Sequence, residues 1–248
     1  MKEHFIIHPD YEIFRNDITS CIVNFSKDGK LISDGDRNEI KTFHIGNLTI
    51  TIKKFKKPNF INSWIYSVFR PSKAKRSYEY AVKLDSLGID TPQAIAYIES
   101  YDPLLKDSYY ICKYIDYDYD FRVLVHNRLL KNRDLILQQF AEFTFKMHEA
   151  QINFLDHSPG NTLIVKKSEK KYNFYLIDLN RMRFEVMDFK KRMKNFRKLW
   201  ISRHMVSVIA NQYAKLYQKP FAEVYTTMQR FSKTFQDKRN LKTRRRRK

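Results

Sequence analysis

The sequence predicts an α+β protein in two lobes: a small antiparallel sheet with one helix, then a mainly helical half. Three observations carry that prediction. "LTITIKKF" (Leu48–Phe55) alternates apolar and polar residues and is rich in β-branched side chains, the pattern of a half-buried strand. "RDLILQQFAEFTFKMHEA" sets Ile136, Phe140, Phe143 and Met147 at steps of four, three and four, which is one face of a helix. Strand-like segments and helix-like segments are grouped along the chain and do not alternate as βαβ units.

The elements follow in order. Ile22–Phe25 and Leu31–Ile32 flank "SKDGK", a turn signal, and read as the first two strands. A polar stretch, "SDGDRNEIKTF", leads to the strand at Leu48–Phe55. "SKAKRSYEYAVKLDSLG" (Ser72–Gly88) reads as a helix, with Tyr78, Ala81, Val82 and Leu84 near helical spacing and Gly88 as the C-cap. "QAIAYIES" and "SYYICKYI" then form a hairpin that completes the sheet. From Phe121 the pattern turns helical. "TLIV" and "YNFYLI" are short strands around "KKSEKK", a charged hairpin loop. Asp188 to about Thr234 is helical and basic, and "KTRRRRK" is a charge run expected to be disordered. The expected division is an N-lobe at 1–115, a C-lobe at 116–236 and a basic tail at 237–248.

Composition bounds the function. The chain has 248 residues, 43% of them hydrophobic, enough to bury a sizeable core. Aromatic residues at 15% exclude disorder of the whole chain. Lys and Arg total 47 against 27 Asp and Glu, a net charge of +20, which points to a polyanionic partner. Beyond charge, nothing resembles a nucleic-acid-binding motif, so no nucleic acid is expected. Cys21 and Cys112 make no disulfide framework. The first residues, "MKEHFIIHPDYEIF", are charged and broken by Pro9, unlike a signal peptide. No apolar run approaches the roughly 20 residues that span a bilayer. The chain reads as cytoplasmic and peripheral to a membrane.

The chemistry gathers around "LDHSPGN" (Leu155–Asn161), between a helix end and a strand. Asp156 and Asn161 are five residues apart, and Asp178 follows seventeen beyond Asn161, at the end of the second hairpin strand. These are the parts of phosphoryl transfer in protein kinases. Asp156 fits a base that accepts the acceptor hydroxyl's proton. Asn161 and Asp178 fit oxygen ligands of Mg²⁺, which takes one or two protein oxygens and completes its shell with phosphates. Alone, the spacing of Asp156 and Asn161 is equally that of a polar turn with Asx-type bonds. Upstream, "MHEAQINFLDHSPGN" follows the kinase pattern L-H-x-x-G-h-h-H-R-D-L-x-P-x-N, keeping His148, Ile152, Asp156, Pro159 and Asn161. Gln151, Phe154 and Leu155 replace its Gly, His and Arg, so activation by loop phosphorylation is not expected.

The first lobe should supply a lysine for the nucleotide phosphates and a helix glutamate to hold it. "TITIKKF" offers Lys53 and Lys54, of which only one faces inward because strand side chains alternate. Lys53 is preferred and Lys54 stays open. Glu79 lies mid-helix and Glu99 does not, which selects Glu79. A solvated Glu79 within i,i+4 reach of Lys83 is the plain alternative. There is no G-x-G-x-x-G; Gly29 and Gly35 in "SKDGKLISDG" are stand-ins for a loop over the phosphates. "DLN" replaces D-F-G and no A-P-E follows, which disfavours a peptide acceptor.

"KKFKKPNFIN", "SKAKRSYEYA", "GIDTP", "LDHSPGNTL" and "LIDLNRMRF" resemble the bacterial lipopolysaccharide kinase family, which phosphorylates Kdo (the inner-core keto sugar) or core heptose. "DHSPGN" and "DLNRM" look like its Bacteroidetes branch, and the resemblance runs from roughly Gly35 to Tyr217. It implies a protein-kinase-like fold, ATP and Mg²⁺ as cofactors, and a sugar hydroxyl of lipid A–core as acceptor at the cytoplasmic leaflet. It gives Asp156 the catalytic role, Asn161 and Asp178 the metal, Lys53 the phosphates and Glu79 the pairing with Lys53. Arg181, Arg183, Lys56 and Lys57 would meet the anionic acceptor. Arg244–Lys248 would hold an anionic membrane at about 1 kcal/mol per basic residue. The other readings are a small-molecule phosphotransferase of kinase-like fold and a non-catalytic pseudokinase.

Overall fold

A computed structural model of the chain describes residues 2–35, 38–57 and 70–246. The chain forms two compact units, Met1–Ile115 and Asp116–Lys248.

The first unit is built on a six-stranded antiparallel sheet. Its strands are β1 (Lys2–Ile7), β2 (Lys30–Gly35), β3 (Asn38–Ile45), β4 (Leu48–Phe55), β5 (Ala94–Tyr101) and β6 (Leu105–Lys113), in the order β1-β5-β6-β4-β3-β2. The alternation read in β4 sorts its side chains. Ile50 and Ile52 are fully buried and join Phe43, Ile98 and Ile111 in a core with Ile18 of helix α1 (Arg15–Val23). A second helix, α2 (Lys73–Ser86), lies by β5 and β6, where Tyr78 meets Tyr97 at 5.3 Å between ring centroids. Both of its ends are capped, the C-terminal one as expected. Ser72 caps the start, its Oγ accepting from the Lys75 N–H at 3.1 Å. Gly88 follows the end at φ 66°, a left-handed position that suits glycine.

Two readings of this region change. Ile22–Val23 close α1 and are not a strand, and Phe25 is buried in the turn that follows. A short, mostly apolar stretch does not distinguish strand from helix by periodicity. β1 is an edge strand on β5, paired from Lys2↔Tyr101 to Ile7↔Ala96. The turn read at "SKDGK" is present and is pinned from β3, where the buried Lys41 donates to the carbonyls of Phe25 (2.6 Å) and Asp28 (3.2 Å).

The second unit holds α3 (Phe121–His126), α4 (Arg133–Glu149), α5 (Phe189–Asn195), α6 (Arg203–Tyr217) and α7 (Phe221–Arg246). Between them lie β7 (Tyr119–Asp120), β8 (Ile152–Phe154), β9 (Thr162–Ser168), β10 (Lys171–Leu176) and β11 (Met182–Phe184). The α4 face is as spaced in the sequence: Ile136, Phe140 and Met147 are fully buried, and Phe143 packs beside them. Phe121, Phe174, Phe196, Ile209 and Tyr213 complete that core. The charge run differs from expectation. α7 continues to Arg246 where the sequence reads as disordered from 237. Lys and Arg are strong helix formers, and the Lys233–Asp237 pair at 2.7 Å, four residues apart, supports the helix as it leaves the core. Among the described residues no helix is long and apolar enough to cross a membrane.

Candidate active site

Two short loops in the second unit are stitched together from both sides. β9 and β10 pair as a hairpin down to Thr162↔Leu176, and the Ile177 N–H donates to the Asn161 carbonyl at 3.0 Å. β8 and β11 pair at Phe154↔Met182, and the Leu155 N–H donates to the Arg181 carbonyl at 3.0 Å. Residues 155–161 and 177–181 therefore face one another. The first carries Asp156 and Asn161, the second Asp178. The three residues read from spacing are brought together by two strand pairings.

Local bonds set each side chain. The Asn161 Nδ2 donates to the Asp156 carbonyl at 2.8 Å. Its donor side is spent on the loop, which leaves the amide oxygen as its outward acceptor. Asp178 sits at φ 58°, a left-handed conformation that Asp tolerates better than most residues. Asn180, nearly buried, donates to Asp178 Oδ1 at 2.7 Å and orients it. Pro159–Asn161 form a single 3-10 turn. A Cβ on Gly160 would stand 2.0 Å from Arg122 Nη2, so glycine here admits an arginine from α3. That arginine is held by Asp120 at 2.6 Å.

Asp156 is 22% exposed and carries a cation on each carboxylate oxygen. Lys198 Nζ donates to Oδ1 at 2.9 Å, and Arg181 Nη1 to Oδ2 at 3.3 Å. Arg181, expected to meet the acceptor, is thus paired with Asp156 in this structure. Arg183 lies opposite Asn153 on β11, exposed. Sequence reasoning missed Lys198. It lies 42 residues past Asp156 in a lysine-rich stretch, where no local spacing singles it out.

His157 is fully buried. Its Nδ1 meets Asn195 Oδ1 at 2.7 Å, while Asn195 Nδ2 donates to Asn153 Oδ1 (3.1 Å) and the Phe154 carbonyl (3.0 Å). That bonding makes His157 Nδ1 the donor, hence a neutral ring protonated there. Burial drives its pKa down to about 4 against the raising effect of Asn195. His157 is a strut under the loop.

In the first unit, β4 separates the two lysines. Lys54 points to the Ile50–Ile52 face, with Nζ 5.7 Å from the Phe25 ring and 5.5 Å from the Tyr109 ring. Lys53 points to the other face, where its Nζ lies 5.2 Å from the Phe55 ring and Lys73 of α2 lies 6.0 Å from the same ring. Lys53 therefore faces the α2 side. Glu79, half-exposed on α2, has its ion pair with Lys75 at 3.8 Å. The buried carboxylate on the Lys53 face is Glu99, with the Tyr101 O–H donating to it at 3.1 Å. Burial first, then the charges of Glu99 and Glu79, push Tyr97 up to about 12. Gly29 turns at φ 85° where a Cβ would strike the Phe43 ring, so it serves packing. Gly35 ends β2, and Asp36–Arg37 beyond it lie outside the described residues, as does Pro58–Asn62 of the "KKFKKPNFIN" resemblance. Lys56 is exposed, and Lys57 is 3.5 Å from Asp107.

Residues 37–222 match the lipopolysaccharide kinase (Kdo/WaaP) family, three quarters of the chain. The chain belongs to the Kdo/WaaP lipopolysaccharide kinase family. Comparison with curated proteins finds no match. Among solved structures, that of WaaP in complex with acyl carrier protein is similar at a TM-score of 0.63 and 16% identity, covering 95% of this chain and 99% of that one. At that identity the likeness bears on the fold, which is kinase-like.

Membership in the Kdo/WaaP family implies a phosphotransferase that uses ATP, usually with a divalent metal. The donor set fits such a metal. The Asn161 amide oxygen and the Asp178 carboxylate are hard oxygens on facing loops, the number and kind Mg²⁺ takes from protein when phosphates fill the rest.

Proposed function

We propose that this protein transfers the γ-phosphate of Mg·ATP to a sugar hydroxyl, on Kdo or heptose, of the lipopolysaccharide inner core. The lipid A–core acceptor is met at the cytoplasmic membrane face. The observation that carries the reading is the double stitching of residues 155–161 to 177–181, which gathers a carboxylate, an amide oxygen and a second carboxylate. Asp156 accepts the hydroxyl proton. Asn161 and Asp178 hold Mg²⁺, which when bound neutralises charge on the phosphates. Lys53 contacts the nucleotide phosphates and Glu79 is its helix partner. Arg181 and Arg183 serve the anionic acceptor, Arg181 leaving Asp156 to do so. The excess of basic charge suits an acceptor that is itself anionic and lies in an anionic surface.

The test is phosphate transfer from labelled ATP to purified lipid A–Kdo and to heptose-bearing core. Wild type should label one of them, and Asp156→Ala and Asp178→Ala should each lose at least about a hundredfold in rate. Labelling that survives both substitutions sinks the assignment. Binding of Mg·ATP with no transfer to either acceptor leaves the pseudokinase. Loss of one phosphate from lipid A–core in a deletion strain, read by mass spectrometry, identifies the acceptor sugar.

A further inference from the structure

Asp156 is over-supplied with positive charge for a base. Both of its oxygens carry cationic donors, Lys198 at 2.9 Å and Arg181 at 3.3 Å. With a donor on each oxygen, an incoming hydroxyl finds neither oxygen uncovered until one cation moves aside. The two cations are not equivalent. Arg181 is 50% exposed, whereas Lys198 is 25% exposed. Lys198 also ends a 3-10 turn, Phe196–Lys198. Phe196 in that turn is fully buried, and Asn195 before it is tied to His157 and to the Phe154 carbonyl under the same loop. The backbone that carries Lys198 is therefore fixed to the loop that carries Asp156, while its side chain ends in three rotatable donors.

We propose that Lys198 is a catalytic residue whose ammonium passes from Asp156 to the phosphoryl group in flight. This rests on the reading of Asp156 as the base. The acceptor oxygen forms its bond to the γ-phosphorus, and the bond from that phosphorus to the β,γ-bridging oxygen breaks, its electron pair leaving with ADP. The hydroxyl proton goes to the Asp156 oxygen that Lys198 has vacated. Lys198 keeps its own protons and donates to a non-bridging oxygen of the transferred group. A donor 2.9 Å from the base is within reach of the atom next to the one the base deprotonates. One side chain thus couples uncovering of the base to arrival of the phosphate.

The test uses Lys198→Met and Lys198→Arg, with Lys190→Met, an exposed lysine on α5, as the charge control. Two readouts separate contact with phosphate from mere support of Asp156. The first is binding of Mg·ADP alone and of Mg·ADP with aluminium fluoride, which mimics the phosphoryl group in transfer. Lys198→Met should weaken the fluoride complex at least about tenfold and Mg·ADP less than about twofold, with Lys198→Arg between. The second is residual turnover in an Asp156→Asn background, where the base is already gone. There Lys198→Met should lower the rate further by about tenfold. Equal fluoride affinity, or an unchanged rate in that background, makes Lys198 a prop for Asp156 and overturns the proposal. Lys198→Gln gives the same two readouts should the Met variant melt early. A wild-type protein that binds no Mg·ADP overturns the kinase reading itself. Wild-type binding with the variant results reversed overturns only the role of Lys198.

Discussion

Asp178 combines an acid side chain with a left-handed backbone, and the two properties separate by substitution. Asn tolerates φ 58° at least as well as Asp, so Asp178→Asn should cost less than about 1 kcal/mol by urea melt. It removes the charge proposed to hold the metal, and transfer should fall at least about a hundredfold. Parallel loss of fold and rate would mean the residue is only structural. His157 makes a different kind of claim. Its folded pKa of about 4 lies below the ordinary value of 6.5, so the unfolded chain binds the extra proton first. Stability from this residue is full above pH 6.5 and is lost as pH falls through 4, by roughly 3 kcal/mol in all. His148, fully buried with its Nδ1 2.8 Å from the Tyr213 hydroxyl, is shifted in the same direction, mainly by burial. Urea midpoints should therefore fall between pH 7 and 5, and His157→Leu should flatten that slope by about one proton. A slope unchanged by the substitution removes His157 as its source. The sequence by itself assigns His157 no role. Only its burial, set by Phe140 and Phe196 from distant segments and by Phe154 three residues before it, decides the matter.

At the scale of elements, what was legible followed periodicity. α4, α2 with its Gly88 signal, and the hairpins β5–β6 and β9–β10 each carry several residues of one repeat. The ribbon β8–β11 has only three residues a side, and its two strands are separated by the whole β9–β10 hairpin, so no local pattern announces it. Yet that ribbon closes the second side of the site. α1 was missed because its apolar residues are few and a single one, Ile18, is buried. Gly160 shows how an element sets a residue's meaning. The sequence gives it only the shaping of a turn, and the structure adds the approach of Arg122 from α3. The obstructing atoms are the far end of an exposed side chain, so Gly160→Ala should move Arg122 and leave the loop in place. The expected stability loss is under about 1 kcal/mol, the range of an exposed ion pair. Combined with Arg122→Ala it should cost nothing further. Additive losses in the double variant would place the strain in the loop backbone.

For the whole molecule, net charge is the property that sequence states best and local structure explains least. Of the +20, six charges lie in the last seven residues: Lys242, Arg244, Arg245, Arg246, Arg247 and Lys248. Their surroundings were misjudged because a run of like charge signals disorder by repulsion, while the same residues favour helix once a helix has started. Here α7 is nucleated by Val224 and Met228 in the core, and the exposed turns through Arg245 extend it. A helix displays its basic side chains at fixed spacing to an anionic surface, each worth about 1 kcal/mol near a membrane at low salt. Deleting Lys242–Lys248 removes no buried side chain among the described residues, so the melting temperature should hold. Partition onto vesicles containing about one-fifth anionic lipid should fall at least about tenfold at 0.05 M salt. The difference should close near 1 M salt, where the screening length is about 3 Å, and should not arise on neutral vesicles. Equal partition of the full and shortened chains at low salt would assign the membrane role to other basic residues or to none. A fall that persists at 1 M salt would mean the helix acts through something other than its charge.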